Sequence, residues 1–239
     1  MAIDQCLLDR ADRMGERWLR LYRWEPHCLS FGRHEPALRR YDRDRIAALG
    51  LDVVRRPTGG RAVWHARELT YAVAAPSDEL GGLREAYLEI HRMLVEALAR
   101  LDVPAHLAPA GPPGSLDAGA CFSRPAGGEL LVEGRKMVGS AQLRQGTALL
   151  QHGSILLEDD QQVVSDVSLG TAPRVAPGRL ATPSGRTLGQ DDVARAIAWA
   201  APRRWPGRWC RVADADAVVE AGERRHGTRF RSEAWTWRA

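Results

Sequence analysis

The chain has 239 residues, 44% of them hydrophobic, which is enough for one large domain with a sizeable core. Its formal net charge of +4 comes from 34 basic and 30 acidic residues that are mixed along the chain. The absence of a long basic run disfavours nucleic-acid binding, and no apolar run approaches membrane-spanning length. Residues 1–11 are typical of an amphipathic helix rather than a signal peptide, so we expect a cytoplasmic location.

Apolar spacing predicts the elements in chain order. Helical spacing comes first, in residues 3–14, and alternation and short apolar runs then predict strands at 18–24 and 28–32. A short helix at 43–49 precedes strands at 51–56, 61–65 and 68–74, and a long amphipathic helix follows at 82–101. Strands at 129–133 and 135–140 read as a hairpin around Gly134, followed by strand material at 146–157 and helices at 190–200 and 216–225.

Two stretches rich in proline and glycine, residues 104–120 and 170–189, are predicted to be flexible connections. Strand pairs joined by tight turns, with helices between them, favour an α+β fold with a largely antiparallel sheet flanked by helices. We expect a single domain over residues 1–239.

Lys136 is the only lysine in the chain, so every other basic residue is arginine. Where a composition bias replaces lysine by arginine, the lysine that remains is expected where arginine cannot serve. Lysine offers a compact ammonium of tunable pKa, whereas the guanidinium is wide, planar and permanently charged. Lys136 is therefore a candidate functional residue.

A second candidate is the turn in residues 55–65, RRPTGGRAVWH. Paired glycines allow positive φ and let a ligand approach the backbone, whose N–H groups can hold a carbonyl or an anion. An ordinary hairpin turn is the alternative interpretation. The segment is not a phosphate-binding loop, because no Gly-Lys-Ser/Thr follows.

The four cysteines, Cys6, Cys28, Cys121 and Cys210, have no paired spacing, which indicates free thiols in a reducing compartment. Cys121 follows a predicted loop and precedes Lys136. A thiol attacks only as the thiolate, and a nearby ammonium lowers its pKa. Cys121 and Lys136 are thus a plausible pair for an acyl-thioester enzyme, although a small buried cysteine is the commoner fate.

The third candidate is His152 beside Gly153 in a predicted strand, where it could line a pocket or serve the core. The other histidines lack ligand spacing, so no metal is predicted.

Taken in order, these segments resemble the biotin/lipoate protein ligase and acyltransferase family, and most closely its cysteine-dependent octanoyltransferases that act on the glycine cleavage H protein. The matching segments are MAID at 1–4, WEP at 24–26, RRPTGGRAVWH at 55–65, ELTY at 68–71, CF at 121–122, GRKMVGSAQ at 134–142 and QHGS at 151–154. The likeness covers most of the chain and weakens after about Asp160.

The resemblance implies a mixed sheet flanked by helices, like the core of class II aminoacyl-tRNA synthetases. It implies that Cys121 is the acyl-thioester nucleophile, that Lys136 lowers its pKa, and that the Gly59-Gly60 turn and the Gly139-Ser140-Ala141 segment form walls of an acyl tunnel. The full set of expected substrate-binding residues is Arg56, Thr58, Gly59, Gly60, Arg61, His65, Gly139, Ser140, Ala141, His152 and Gly153.

The resemblance also implies a protein octanoyltransferase of lipoate biosynthesis. It would take octanoyl-acyl carrier protein as donor and a lipoyl-domain protein, such as the H protein or a 2-oxoacid dehydrogenase E2, as acceptor, with no cofactor. An ATP-dependent lipoate–protein ligase and a non-catalytic subunit of an attachment system are the alternatives. The ligases usually show a third glycine after the glycine pair and an acidic residue after the histidine. This chain has Arg61 and Ala66 at those positions, which favours the transferase.

Overall fold

The computed structural model describes residues 1–109, 127–158, 160–170, 179–212 and 215–238. Within them, the chain forms three β-sheets with helices packed on both faces of the largest. The strands are β1 (Trp18–Tyr22), β2 (Cys28–Phe31), β3 (Asp52–Arg55), β4 (Val63–His65), β5 (Glu68–Pro76), β6 (Ala105–Leu107), β7 (Leu130–Val132), β8 (Arg135–Lys136), β9 (Val138–Gln145) and β10 (Ala148–Leu156).

The largest sheet has the strand order β1-β5-β10-β9 and is antiparallel throughout. Its register places Gly153 between Tyr71 of β5 and Ser140 of β9. A second sheet, β3-β2-β4, contains the parallel pair β2 and β3, and a third has the order β6-β7-β8. The predicted α+β fold with a largely antiparallel sheet is confirmed.

The helices are α1 (Ala2–Met14), α2 (Ala37–Arg40), α3 (Arg43–Ala48), α4 (Leu83–Ala99), α5 (Gln162–Asp166), α6 (Gln190–Arg204), α7 (Ala215–Gly222), α8 (Thr228–Arg231) and α9 (Glu233–Thr236). A π-helical turn, Glu223–Gly227, joins α7 to α8. The five predicted helices are present with shifted ends. The short helices α2, α5, α8 and α9 are additions, because four or five residues carry too little periodicity to be recognised. No helix in the described part of the chain is long and apolar enough to span a membrane.

The two central strands are buried on both faces, because helices cover each side of the sheet. One face packs against α1 through Leu7, Leu8 and Ala11, which meet Ala72 and Ala74 of β5. The opposite face of β5 carries Tyr71 and Val73, which pack against residues of α4 and α6 such as Ile90 and Ile197. The period of two along β5 therefore divides its side chains between two cores.

Three sequence expectations need correction. The strand predicted over residues 135–140 divides at Met137, because Arg135 and Lys136 pair with β7 whereas β9 pairs with β10 in the main sheet. The predicted flexible connection at 104–120 begins with β6, which pairs with β7; its residues 110–120 lie outside the described part. The predicted mobile loop at 170–189 includes the buried Leu180 and Leu188, which belong to the main core.

Candidate active site

A pocket of about 380 Å³, its open mouth included, lies where the Gly59-Gly60 turn faces β9 and β10. Eight of the residues expected to bind substrate line it, namely Arg56, Gly60, His65, Gly139, Ser140, Ala141, His152 and Gly153. The rest of its lining was not among the expected substrate-binding residues, although all but Tyr22 lie in the matching segments, and comprises Met1, Tyr22, Trp24, Val63, Thr70 and Ser154. Met1 precedes α1, and the others lie in or beside strands, where the alternation of polar and apolar residues accounts for them without any ligand.

Three expected residues, Thr58, Gly59 and Arg61, are absent from the pocket lining and instead support it. The Thr58 hydroxyl is fully buried and lies 2.6 Å from His152 Nε2. Carbonyl oxygens of Gly59 and Arg61 accept hydrogen bonds from Arg56 Nη2 at 3.2 and 2.7 Å. Arg56 Nη1 donates to the carbonyl oxygen of Ser30 at 2.8 Å, so its fork ties the turn to β2.

The turn also depends on Gly32, which lies directly against it. A Cβ on Gly32 would be 1.8 Å from the carbonyl oxygen of Gly60, so a backbone atom would have to move. We expect Gly32→Ala to lower the free energy of unfolding by roughly 3 kcal/mol or more, above the usual cost of overpacking. Gly59→Ala is the matched control, since a Cβ there meets no atom within 4 Å. Urea unfolding of both variants measures the difference, and equal stabilities would contradict the prediction.

His152 belongs to a buried network that reaches back to α1. Its Nδ1 lies 3.0 Å from Asp4 Oδ2, and Asp4 also accepts from Arg20 Nη1 at 2.6 Å and from the Tyr22 hydroxyl at 3.0 Å. Burial alone would raise the pKa of Asp4, but the His152 hydrogen bond and the Arg20 charge outweigh it and hold that pKa well below its usual range. Asp4 is therefore an anion that accepts a hydrogen bond from His152 Nδ1–H, which leaves His152 Nε2 to accept one from Thr58.

His65 is equally enclosed on the opposite side of the pocket. Its Nε2 lies 2.6 Å from the Ser30 hydroxyl, and its Nδ1 lies 3.1 Å from the Ser154 hydroxyl. Trp24 stacks on the imidazole with ring centroids 4.4 Å apart. With both nitrogens and one face engaged, His65 shapes the pocket wall and holds Trp24 in place.

Lys136 lies on β8, behind the pocket lining. Its Nζ donates to Glu129 Oε1 at 2.5 Å, and the two side chains are only 5% and 10% exposed. Burial lowers the pKa of His91, and the positive charge of Lys136 lowers it further. His91 Nε2 lies 2.8 Å from the Ser140 hydroxyl in the pocket wall, and its Nδ1 lies 2.7 Å from the carbonyl oxygen of Gly128, the residue before the lysine's partner Glu129. Neither Glu129 nor His91 was predicted as a site residue, because the spacing of the helix and the strand in which they lie explains both without a functional role.

Cys121 lies outside the described residues, so its distance from Lys136 remains a prediction. Among the described cysteines, burial raises the pKa of the Cys6 thiol and raises that of Cys28 to about 12. Cys210 is exposed, and none of these three lines the pocket. No group of three or more potential metal ligands occurs in the described ranges.

Buried histidines make the stability of the fold depend on pH. Burial lowers the pKa of His65, His91 and His152, that of His91 to about 4. In the unfolded chain histidine binds a proton near pH 6.5, whereas in the folded protein these rings stay neutral to a lower pH. The free energy of unfolding is therefore highest above pH 6.5 and decreases as the pH falls toward 4. We expect His91 alone to account for a decrease of roughly 3 kcal/mol over this range. Urea titrations across it, with His91→Asn as the variant of smaller slope, measure the effect, and a flat profile would contradict it.

Solved structures share the whole described architecture. Protein Ta0514 from T. acidophilum, solved with bound lipoic acid, superposes with a TM-score of 0.80 at 20% identity and covers 99% of this chain and 91% of its own. A lipoate-protein ligase A bound with ATP superposes with a TM-score of 0.76 at 18% identity, over 99% of this chain and 92% of its own. These identities establish a shared fold, that of lipoate protein ligases.

Sequence comparisons reach further than the fold. Residues 1–176 match the model of the lipoyl protein ligase A/B catalytic domain. Octanoyltransferase LipM of Kyrpidia tusciae is 40% identical over 185 residues, which is 73% of this chain and 67% of that protein. Octanoyltransferase LipM of Symbiobacterium thermophilum is 44% identical over 170 residues, 67% of this chain and 61% of that protein. The chain belongs to the lipoyl protein ligase A/B catalytic domain family, and it spans between 60% and 67% of the length of the first relatives it matches.

Proposed function

We propose that this protein is an octanoyltransferase of lipoate biosynthesis. The observation that carries the proposal is identity of 36–44% to octanoyltransferases over most of the chain. The pocket between the Gly59-Gly60 turn and β9 supports it, because its walls include Val63 and Ala141, which offer apolar surface to an acyl chain. Burial of such a chain contributes about 0.8 kcal/mol per methylene.

In the first step of the proposed reaction, the Cys121 thiolate attacks the thioester carbonyl of octanoyl-acyl carrier protein. The new carbon–sulfur bond forms as the bond to the carrier's thiol breaks, and the carrier leaves with a proton taken from solvent. In the second step, the neutral amine of an acceptor lysine attacks the enzyme thioester. The Cys121 thiolate departs, the nitrogen loses a proton, and an octanoyl amide remains on the acceptor. A thioester is exchanged for an amide, so no ATP is required.

Lys136 has the properties that this chemistry asks of a thiolate-stabilising group. It is buried, it carries a compact charge, and Glu129 holds its Nζ at 2.5 Å. A fixed ammonium in a poorly hydrated site stabilises a nearby thiolate more strongly than a solvated one does. Pairing with Glu129 offsets the cost of burying the ammonium, and it also reduces the net positive charge that the thiolate meets.

The donor and acceptor in this proposal are both proteins. The acyl donor is octanoyl-acyl carrier protein, and the acceptor is a lipoyl-domain protein, either the glycine cleavage H protein or a 2-oxoacid dehydrogenase E2. The reaction takes place in the cytoplasm and uses no cofactor.

Intact-mass spectrometry after mixing the protein with octanoyl-acyl carrier protein tests the proposal directly. We expect the protein to gain the mass of one octanoyl group without ATP and to lose it when a lipoyl domain is added. Failure to gain this mass would overturn the proposal.

The alternative of an ATP-dependent ligase draws on the fold shared with a lipoate-protein ligase A bound with ATP. Lipoate-dependent exchange of pyrophosphate into ATP would favour that alternative, and we expect none.

A further inference from the structure

A continuous series of hydrogen bonds crosses the protein from β9 to the residue before Glu129. Gln142 Nε2 donates to Gln151 Oε1 at 2.9 Å, and Gln151 Nε2 donates to the Tyr71 hydroxyl at 2.9 Å. The Tyr71 hydroxyl lies 2.8 Å from that of Ser140. Beyond Ser140, His91 Nε2 lies 2.8 Å from the serine hydroxyl and His91 Nδ1 lies 2.7 Å from the carbonyl oxygen of Gly128.

The direction of every bond in this series is fixed from both ends. The Gly128 carbonyl can only accept, so His91 Nδ1 carries a proton, and the neutral ring then accepts at Nε2 from Ser140. At the other end, Gln151 donates to Tyr71, whose single proton goes to Ser140. Burial keeps His91 neutral, with a pKa of about 4. Each hydroxyl thus donates once and accepts once.

The far end of the series is the segment that holds the partner of Lys136. Gly128 precedes Glu129 directly, and its φ of +83° is one that L side chains rarely adopt. A Cβ there would lie 2.8 Å from Leu88 Cδ2, so the residue packs closely against α4. Gly128 packed against α4 places the backbone next to Glu129, whose carboxylate accepts a hydrogen bond from Lys136 Nζ at 2.5 Å.

We propose that His91 is a positioning residue that fixes the Lys136 ammonium through its Nδ1 hydrogen bond to Gly128 and the adjacent Glu129. Nε2 of the imidazole accepts a hydrogen bond from Ser140 in the pocket wall, and Nδ1 donates one to Gly128, which precedes the lysine's partner Glu129. This inference rests on the proposed function, in which that ammonium stabilises the Cys121 thiolate.

Two substitutions of His91 separate its two bonds. Asparagine places an amide N–H where Nδ1 lies, so His91→Asn keeps the bond to Gly128. Glutamine places its amide near Nε2, so His91→Gln keeps the link to Ser140 and loses Gly128. The matched control is His226→Gln, since His226 bonds Asp9 of α1 and does not line the pocket.

The test measures how the pH sets the rate of Cys121 alkylation by iodoacetamide, in a Cys210→Ser background. For His91→Gln we expect the midpoint of that profile to rise by about one pH unit, equivalent to about tenfold less thiolate at a fixed pH below it. For His91→Asn and His226→Gln we expect a midpoint within about 0.3 pH units of the parent. A single-turnover octanoylation assay adds a second readout, in which we expect about tenfold slower acylation for His91→Gln alone.

A purely structural role for His91 would lower the fraction of protein that reacts while leaving the midpoint and rate constant of the reactive fraction unchanged. That result would overturn the inference, as would equal losses in His91→Asn and His91→Gln. If the parent protein gains no octanoyl mass, the proposed function fails. If it gains that mass and His91→Gln matches it in rate and midpoint, only the role of His91 fails.

Discussion

Cys121→Ala is expected to abolish octanoyl transfer, with a loss of at least about 10³-fold in the rate of the complete reaction. The sulfur forms the covalent intermediate in both proposed steps, and alanine offers no nucleophile in its place. Cys121→Ser is expected to fail as well, because a serine hydroxyl stays protonated beside an ammonium that can still ionise a thiol. Intact-mass analysis after mixing with octanoyl-acyl carrier protein should show no added octanoyl group in either variant.

The remaining cysteines serve as controls for this prediction. Cys28 is buried in β2 and its pKa is raised to about 12, so it cannot take over the reaction near neutral pH. Cys210 is exposed, and Cys210→Ser should leave acylation unchanged. Near-normal turnover by Cys121→Ala would refute the covalent mechanism.

Lys136→Met is expected to slow acylation by at least about 30-fold at pH 7, and this deficit should shrink as the pH rises past about 8.5. This factor follows from the fraction of the thiol that is ionised at pH 7. That fraction is about 3% for an unperturbed thiol, whereas a thiol beside an ammonium is almost fully ionised. At high pH the Cys121 thiol is deprotonated even without the ammonium, so the variant recovers thiolate. We expect Lys136→Arg to be severely impaired too, since the planar guanidinium cannot occupy the site of a compact ammonium opposite Glu129. Single-turnover rates measured against pH test both variants.

Stability must be separated from activity at this position. Lys136→Met leaves the Glu129 carboxylate buried without the ammonium that faces it, which costs roughly 3–5 kcal/mol. The double variant Lys136→Met with Glu129→Gln removes both charges and is expected to recover most of that stability while acylation at pH 7 stays slow. Recovery of activity together with stability would show that Lys136 serves the fold and not the thiol.

The sequence was most informative where one physical requirement dominates a segment. Apolar periodicity predicted α1 and α4, because each buries one continuous stripe. The glycine pair at Gly59 and Gly60 marked a real constraint, since Gly60 has a φ of +88° and its carbonyl oxygen lies where a Cβ on Gly32 would have to be. The uniqueness of Lys136 drew attention to a residue that the structure shows to be buried and paired with Glu129.

Residues that act through distant partners left no local signal. Asp4 resembles any acidic residue in the first turn of a helix, yet it accepts hydrogen bonds from Arg20 and Tyr22 of β1 and from His152 of β10. His91 falls among the apolar positions of an amphipathic helix, and only the folded structure shows that it reaches Ser140. Pairings over such separations depend on strand register and helix placement, which no single window of sequence contains.

The junction at Met137 has a consequence for how the segment can vary. Lys136 and Ser140 are four positions apart, yet they belong to different sheets that meet at this residue. Inserting or deleting one residue between them would turn every side chain of β9 to the opposite face, since strands alternate with a period of two. The number of residues from Gly134 to Gln142 therefore sets the distance between the Lys136 ammonium and the pocket wall at Ser140. Insertions and deletions have to be accommodated elsewhere in the chain.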